Sequence, residues 1–281
     1  MTLAPTEHNI IYGMQCGLAL LLDVYRPVRS NGLGIVYIAG SGWHSGVGYD
    51  APSLKDSPQV AMYAEPLLEA GYTVFALNHR QASLFKYPAA VLDAQRAVRY
   101  VRFNAERFGI DPARIGACGG SSGAHLVSML GVLDGAGDTA DPDPVNHESA
   151  RVQCVVARAA PLDLMPPAEG MQSAGIVDFL GMRMPRGASD GTFEYRLYRE
   201  ASPLSHVSAE TPPFLLLHGD EDPVVPFSNS ERMEASLRSA GIPVKLLRVP
   251  GGAHGPQFPG AVDPPDYLGE MVHWFDTYLS H

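Results

Sequence analysis

Four short stretches of this chain carry residue types that together could perform nucleophilic acyl transfer. The first is Gly119-Gly120-Ser121-Ser122-Gly123. A serine between glycines, where an apolar strand turns into a helix, sits on a tight turn that lifts its hydroxyl clear of the sheet. The N–H of the next residue, Ser122, and the helix N-terminus then face the place where an oxyanion would develop. The second is His218-Gly219-Asp220-Glu221-Asp222-Pro223-Val224-Val225-Pro226. Any of its three carboxylates could orient an imidazole, and the residues alone do not choose among them. The third is Pro250-Gly251-Gly252-Ala253-His254-Gly255, where small neighbours let a histidine approach another loop. The fourth is Ala39-Gly40-Ser41-Gly42-Trp43. Its small residues let the N–H groups of Ser41 and Gly42 turn toward Ser121 as further oxyanion donors.

Each stretch also has a plainer reading: a βα turn, solvated loop acids, a structural histidine, a glycine-rich bend. Their order decides. A nucleophile, then an acid, then a base, each following a strand, is one of the chain orders in which a catalytic triad is assembled.

The elements that must position these groups are read from hydrophobic period. Residues 8–13 and 18–25 predict two strands joined by a turn around 13–17. Gly34 to Ala39 is an almost unbroken apolar run, as expected of a central strand covered on both faces, and a Gly/Ser-rich loop follows to Gly48. Helices are predicted over 58–70, 88–108, 121–133, 227–240 and 266–279, and further strands over 73–77, 114–118, 152–157, 214–217 and 244–249. In the 88–108 helix, Ala90, Leu92, Ala94, Ala97, Val98, Val101 and Phe108 are read as the apolar face. Alternating strand and helix implies a parallel sheet with helices on both faces. Residues 161–212 interrupt the rhythm with many Pro, Gly and Met residues, and are expected to form an insertion over one edge of the sheet.

Composition narrows the function. The 281 residues are 46% hydrophobic and 18% charged, an ordinary globular balance, and one domain spanning 1–281 is expected. The net charge of −10 argues against nucleic acid and anionic membranes as partners. Cys16, Cys118 and Cys154 lie far apart without metal-ligand spacing and are read as buried free thiols. No run reaches the ~20 apolar residues of a membrane span, and the first residues show no basic region followed by an apolar one, so a cytoplasmic location is expected. Oligomeric state is open, a homodimer included.

With these pieces in place, the chain resembles the esterase and lipase branch of the α/β-hydrolase superfamily. It is most similar to the hormone-sensitive-lipase-like and bacterial feruloyl-esterase-like carboxylesterases. The matching stretches include Leu-Leu-Leu-Asp-Val-Tyr-Arg-Pro (20–27), Phe-Gly-Ile-Asp-Pro-Ala-Arg-Ile-Gly (108–116) and Gly-Gly-Ser-Ser-Gly-Ala-His-Leu (119–126). Ala-Ser-Pro-Leu-Ser-His-Val (201–207) and His-Gly-Asp-Glu-Asp-Pro-Val-Val-Pro (218–226) continue the match.

The resemblance implies the α/β-hydrolase fold, a mostly parallel central sheet with helices on both faces and a small lid-like insertion at about 162–212. It places the nucleophile at Ser121, the acid at Asp222 and the base at His254, with oxyanion donors at Ser41, Gly42 and Ser122. It implies no cofactor, no metal and a small-molecule ester substrate. The chain departs from the family where His-Gly-Gly-Gly-Trp is usual. Ala39 replaces the histidine and Ser41 the middle glycine, so Ser41 must take up a backbone conformation that glycine adopts with less strain. Alternatives with the same machinery are an arylformamidase or a peptidase-like amide hydrolase, and a further one is a non-catalytic hydrolase-like binding protein. The insertion mixes Met165, Met171, Ile176, Phe179, Leu180 and Met182 with Asp178, Arg183, Arg186 and Asp190. A pocket walled by such residues predicts a preference for acyl chains of about two to six carbons, each buried methylene adding about 0.8 kcal/mol until the pocket is full.

Overall fold

The computed structural model describes residues 3–46, 50–166 and 173–280. Its strands are β1 (Glu7–Gln15), β2 (Leu18–Tyr25), β3 (Gly34–Ile38), β4 (Thr73–Leu77), β5 (Ile115–Gly120), β6 (Val155–Arg158), β7 (Phe214–Gly219) and β8 (Val244–Val249). Among the described residues they form one sheet in the order β1-β2-β4-β3-β5-β6-β7-β8. From β4 through β8 the neighbours are parallel, whereas β2 pairs antiparallel with both β1 and β4. This is the α/β-hydrolase fold.

The alternation within β3 shows why it reads as unbroken apolar. Val36 and Ile38 face one core layer with α2 (Ala89–Phe103), α4 (Ser122–Val132) and α7 (Ser228–Ser239). Ile35 and Tyr37 face the other, with α1 (Pro58–Glu69) and α8 (Tyr267–Leu279). A strand covered on both faces needs no polar side.

Four local expectations need correction. The helix expected over 88–108 is two, because Asn104 leaves helical geometry (φ −101°, ψ 19°) and α3 (Ala105–Phe108) follows. The Asn104 side-chain amide donates to the Tyr100 carbonyl at 2.8 Å, a local bond that competes with the helix ladder. Leu92, two residues after Ala90, falls off the apolar stripe and is 50% exposed. The first hairpin turns at Cys16-Gly17 alone, both with positive φ (51° and 77°), because β1 continues to Gln15. Cys16 therefore sits exposed at the hairpin tip, while Cys118 and Cys154 are buried free thiols.

The insertion also differs from its sequence reading. Among its described residues are α5 (Ala174–Leu180), α6 (Phe193–Glu200) and a 3-10 turn at Pro203–His206. It packs over the middle of the sheet and not over an edge. Phe179 stacks on Trp43 with ring centroids 4.4 Å apart, and the Ala201 carbonyl accepts from His125 at 2.8 Å. Trp43 follows β3 and His125 lies on α4 after β5, the two central strands. Met171 and Gly48, part of the expected insertion and loop, lie outside the described residues. No helix of the described residues is long and apolar enough to cross a membrane.

Candidate active site

The strand β5 ends at Gly120, and Ser121 takes φ 52°, ψ −123° before α4 begins. A non-glycine residue in that region is held there by its surroundings. The surroundings are close backbone. A Cβ on Gly123 would lie 2.1 Å from the Ile38 carbonyl oxygen, and one on Gly119 would lie 2.6 Å from the Gly123 backbone. The elbow is thus as tight as its glycines imply, and the Ser121 N–H is anchored on the Arg158 carbonyl at 2.8 Å.

The sheet brings three distant side chains together at the C-terminal ends of its strands. Ser121 Oγ lies 2.9 Å from His254 Nε2. His254 Nδ1 lies 2.7 Å from Asp222 Oδ2. A carboxylate only accepts, so Nδ1 carries the proton and Nε2 is left to accept from the serine hydroxyl. The Asp222 side chain has no exposed surface. Its Oδ1 accepts from the N–H groups of Val224 (2.8 Å) and Val225 (2.9 Å). Burial alone would raise its pKa, but hydrogen bonds from His218, His254, Val225 and Val224 outweigh burial and hold the carboxyl well below the usual carboxylate range.

The other two acids of that loop do different work. Asp220 accepts from Arg248 Nε and from the Gly251 N–H, both at 2.7 Å, and so braces the loop carrying His254. Glu221 is exposed, and its backbone N–H donates to the Gly252 carbonyl at 3.1 Å.

The glycine-rich loop after β3 lies beside the elbow. The Ser41 N–H donates to the Ser122 side-chain Oγ at 2.9 Å. Of the three expected oxyanion donors, Ser41 is therefore already engaged by a hydroxyl that the sequence reading did not consider. Gly42 and Ser122 line the same cavity as Ser121.

That cavity, about 800 Å³, opens over Ser121 between the insertion and the loop after β7. Trp43, Leu164, Met165, Ile176 and Val225 supply apolar wall, and Asp163 and Arg232 a polar side. Asp163 and Arg232 are ion-paired. Phe179 and Leu180 do not line the cavity and are buried in the core instead.

Two histidines missed by the sequence reading support the site. His218 is fully buried at the end of β7. The Val225 carbonyl, 3.0 Å away, can only accept, so Nε2 carries a proton that also reaches Asp222 Oδ2 at 3.2 Å. Ser230 donates to the other nitrogen at 2.7 Å. His125, one turn into α4, accepts from the Trp43 indole N–H at 3.2 Å and donates to the Ala201 carbonyl at 2.8 Å. Burial lowers its pKa to about 4 against a raising contribution from the Ala201 bond, so it is neutral at pH 7. His125 thus ties the glycine-rich loop, the nucleophile helix and the insertion together. Both histidines lie inside quoted motifs, at His218-Gly219 and four residues after Ser121, which was the signal available.

A serine on a strand-to-helix elbow, bonded to a histidine that is bonded to a buried aspartate at the carboxyl end of a parallel sheet, defines an α/β-hydrolase. The chain belongs to the BD-FAE family, whose model matches residues 22–237. It is 32% identical over 200 residues to esterase LipQ of Mycobacterium tuberculosis, a stretch covering 70% of this chain and 46% of that protein. The chain spans about half the length of the curated relatives it matches. Among solved structures, it is similar to an acetyl ester-xyloside bifunctional hydrolase from Caldicellulosiruptor lactoaceticus. The TM-score is 0.81 and the identity 27%, with 99% of this chain and 98% of that one covered. A butyrate-bound esterase from Thermogutta terrifontis matches with a TM-score of 0.73 and 26% identity over 98% of this chain and 94% of that one.

Proposed function

We propose that this protein is a serine carboxylesterase acting on esters of short acyl chains through an acyl-enzyme. The observation that carries the reading is the continuous relay Ser121–His254–Asp222, at 2.9 and 2.7 Å, whose serine lines a cavity of about 800 Å³. His254 Nε2 takes the Ser121 proton as Oγ attacks the ester carbonyl. The tetrahedral oxyanion is met by the N–H groups of Gly42 and Ser122 at the start of α4, where the helix dipole adds to the attraction. Ser41 acts through the Ser122 hydroxyl. Because that oxygen accepts from Ser41, its own proton points elsewhere, and among the described residues no acceptor takes it. It is free to donate to the oxyanion. The tetrahedral intermediate collapses, and the alcohol leaves with the proton from His254. Water, deprotonated by the same imidazole, then releases the acid and restores Ser121.

The short-acyl preference is supported by the composition of the cavity wall, where Met165 and Ile176 stand beside the Asp163–Arg232 pair. The butyrate found in the Thermogutta enzyme is consistent with it. The test is a series of p-nitrophenyl esters from acetate to palmitate, with Ser121→Ala as control. A maximum of kcat/KM between about two and six carbons is expected, because each further methylene gains its ~0.8 kcal/mol only while apolar wall remains. Ser121→Ala should lower kcat by roughly 10³-fold or more with the fold intact, and should abolish fluorophosphonate labelling. A maximum at ten carbons or longer overturns the chain-length reading, and near-native turnover by Ser121→Ala overturns the mechanism. Pairing each ester with its amide decides between an esterase and an arylformamidase-like enzyme.

A further inference from the structure

Arg158 closes β6, a four-residue strand otherwise made of Val155, Val156 and Ala157, and is among the largest fully buried side chains of the protein. An arginine cannot shed its proton, so a cation is held inside the core. Among the described residues it makes no ion pair, and its Nε has no hydrogen-bond partner. A buried, uncompensated charge is costly, which makes its retention informative.

The guanidinium has two contacts that matter. Its Nη1 donates to the Gly255 carbonyl at 2.8 Å, and Gly255 is the residue after His254. The group also lies against Gly120, the residue before Ser121. A Cβ there would fall 2.4 Å from Nη2 and 3.0 Å from Nε. Gly120 and Arg158 are partners in the β5–β6 register, and the Arg158 carbonyl takes the Ser121 N–H at 2.8 Å. One residue therefore grips the nucleophile's backbone with its own carbonyl and the base's loop with its side chain.

We propose that Arg158 is a positioning residue of the catalytic machinery: its guanidinium, seated against Gly120 and bonded to the Gly255 carbonyl, sets the loop carrying His254 in register with the elbow carrying Ser121. This rests on the triad reading above. Gly120 lacks a side chain because the guanidinium fills that space. The relay needs two hydrogen bonds held at once across three loops, and an error near 1 Å at the base can cost roughly 100-fold in rate. A charged donor is suited to the task, because a bond from an ionised group to a carbonyl is stronger than one from a neutral group.

The test compares Arg158→Met, Arg158→Lys and Gly120→Ala with wild type on p-nitrophenyl acetate, alongside circular dichroism. Arg158→Met is expected to lower kcat roughly 10- to 100-fold with KM within about twofold. Arg158→Lys, which keeps a charged donor, should recover part of that loss. The low-field proton resonance of His254 Nδ1–H, held by Asp222 in wild type, should weaken or vanish in folded Arg158→Met although Asp222 is untouched. Gly120→Ala should be damaging in wild type and better tolerated in the Arg158→Met background, where the space is vacated. The proposal is overturned if folded Arg158→Met keeps kcat within twofold and the His254 resonance unchanged. It is equally overturned if all Arg158 variants fail to fold, since the residue is then a core element only. Failure of the triad reading shows up separately, as wild-type enzyme that fluorophosphonate does not label.

Discussion

Replacing Asp222 with asparagine tests the site most sharply, because among the described residues both of its oxygens have defined partners. Oδ1 accepts two backbone N–H groups, from Val224 and Val225, and Oδ2 accepts from His254 Nδ1 and lies 3.2 Å from His218 Nε2. Asparagine has one accepting oxygen and one donating amide. If the oxygen stays on Val224 and Val225, the new NH₂ faces two N–H donors. His254 escapes only by moving its proton to Nε2, where it points at Ser121 and can no longer remove the serine proton. If the amide flips, both backbone N–H groups lose their acceptor: exposed Val224 can turn to water, while the partly buried Val225 N–H is left unpaired at about 1–3 kcal/mol. Both arrangements damage the site, and the first disables the base. We expect Asp222→Asn to lower kcat by roughly 10³- to 10⁴-fold, the cost of the wrong tautomer. Asp220→Asn is the control. Its ion pair with Arg248 is exposed and worth little, and an asparagine oxygen can still accept from the Gly251 N–H. Turnover within about threefold of wild type is expected there. The assay is steady-state hydrolysis of p-nitrophenyl butyrate, with thermal melts to show that both variants fold. Asp220→Asn as the worse lesion, or Asp222→Asn within tenfold of wild type, refutes the reasoning.

Ser122→Ala removes the hydroxyl that accepts from Ser41 and leaves both backbone amides; kcat should fall roughly tenfold or more with KM little changed, as for loss of one oxyanion donor, and an unchanged or higher kcat would mean the hydroxyl only blocks Ser41. Stability should fall on acidification through His125. Its folded-state pKa is depressed from 6.5 to about 4, so the unfolded chain binds the proton first as pH drops; the stability present above pH 6.5 is lost on the way to pH 4, amounting to about 3 kcal/mol at about 1.36 kcal/mol per pH unit. Urea unfolding at pH 7 and pH 4.5 measures it, and equal midpoints would show that His125 is protonated in the fold or already neutral in the unfolded chain.

Whether a feature of this protein could be read from sequence depended on where its physical requirement is met. The strands of the middle of the sheet were legible because burial on two faces writes itself as a short apolar run, as in Gly34–Ile38. Ser121 was legible because its turn writes glycines on both sides of it within five residues: Gly119 lies against the Gly123 backbone, and Gly123 itself against the Ile38 carbonyl of β3. Asp222 was less so. Its loop offers three carboxylates, and what separates them is which one meets His254, 32 residues further on. The ends of elements failed where side chains competed locally, as Asn104 does with the helix ladder.

The supporting residues were the least legible. His125 meets Ala201 across 76 residues and Arg158 meets Gly255 across 97, so neither partner leaves a trace near the residue itself. Such positions announce themselves only as anomalies. A histidine in an entirely buried helix, or an arginine closing a Val-Val-Ala strand, contradicts the apolar pattern around it, and natural sequences break local rules mainly where a site requires it. The strand reading 152–157 stopped one residue short of Arg158, at the point where the pattern broke. That stop treated a polar residue after an apolar run as the end of the buried strand. Burial of Arg158 at 2% shows the opposite: the strand continues into the core, and its last residue bonds the loops carrying Ser121 and His254, the contacts on which its proposed positioning role rests.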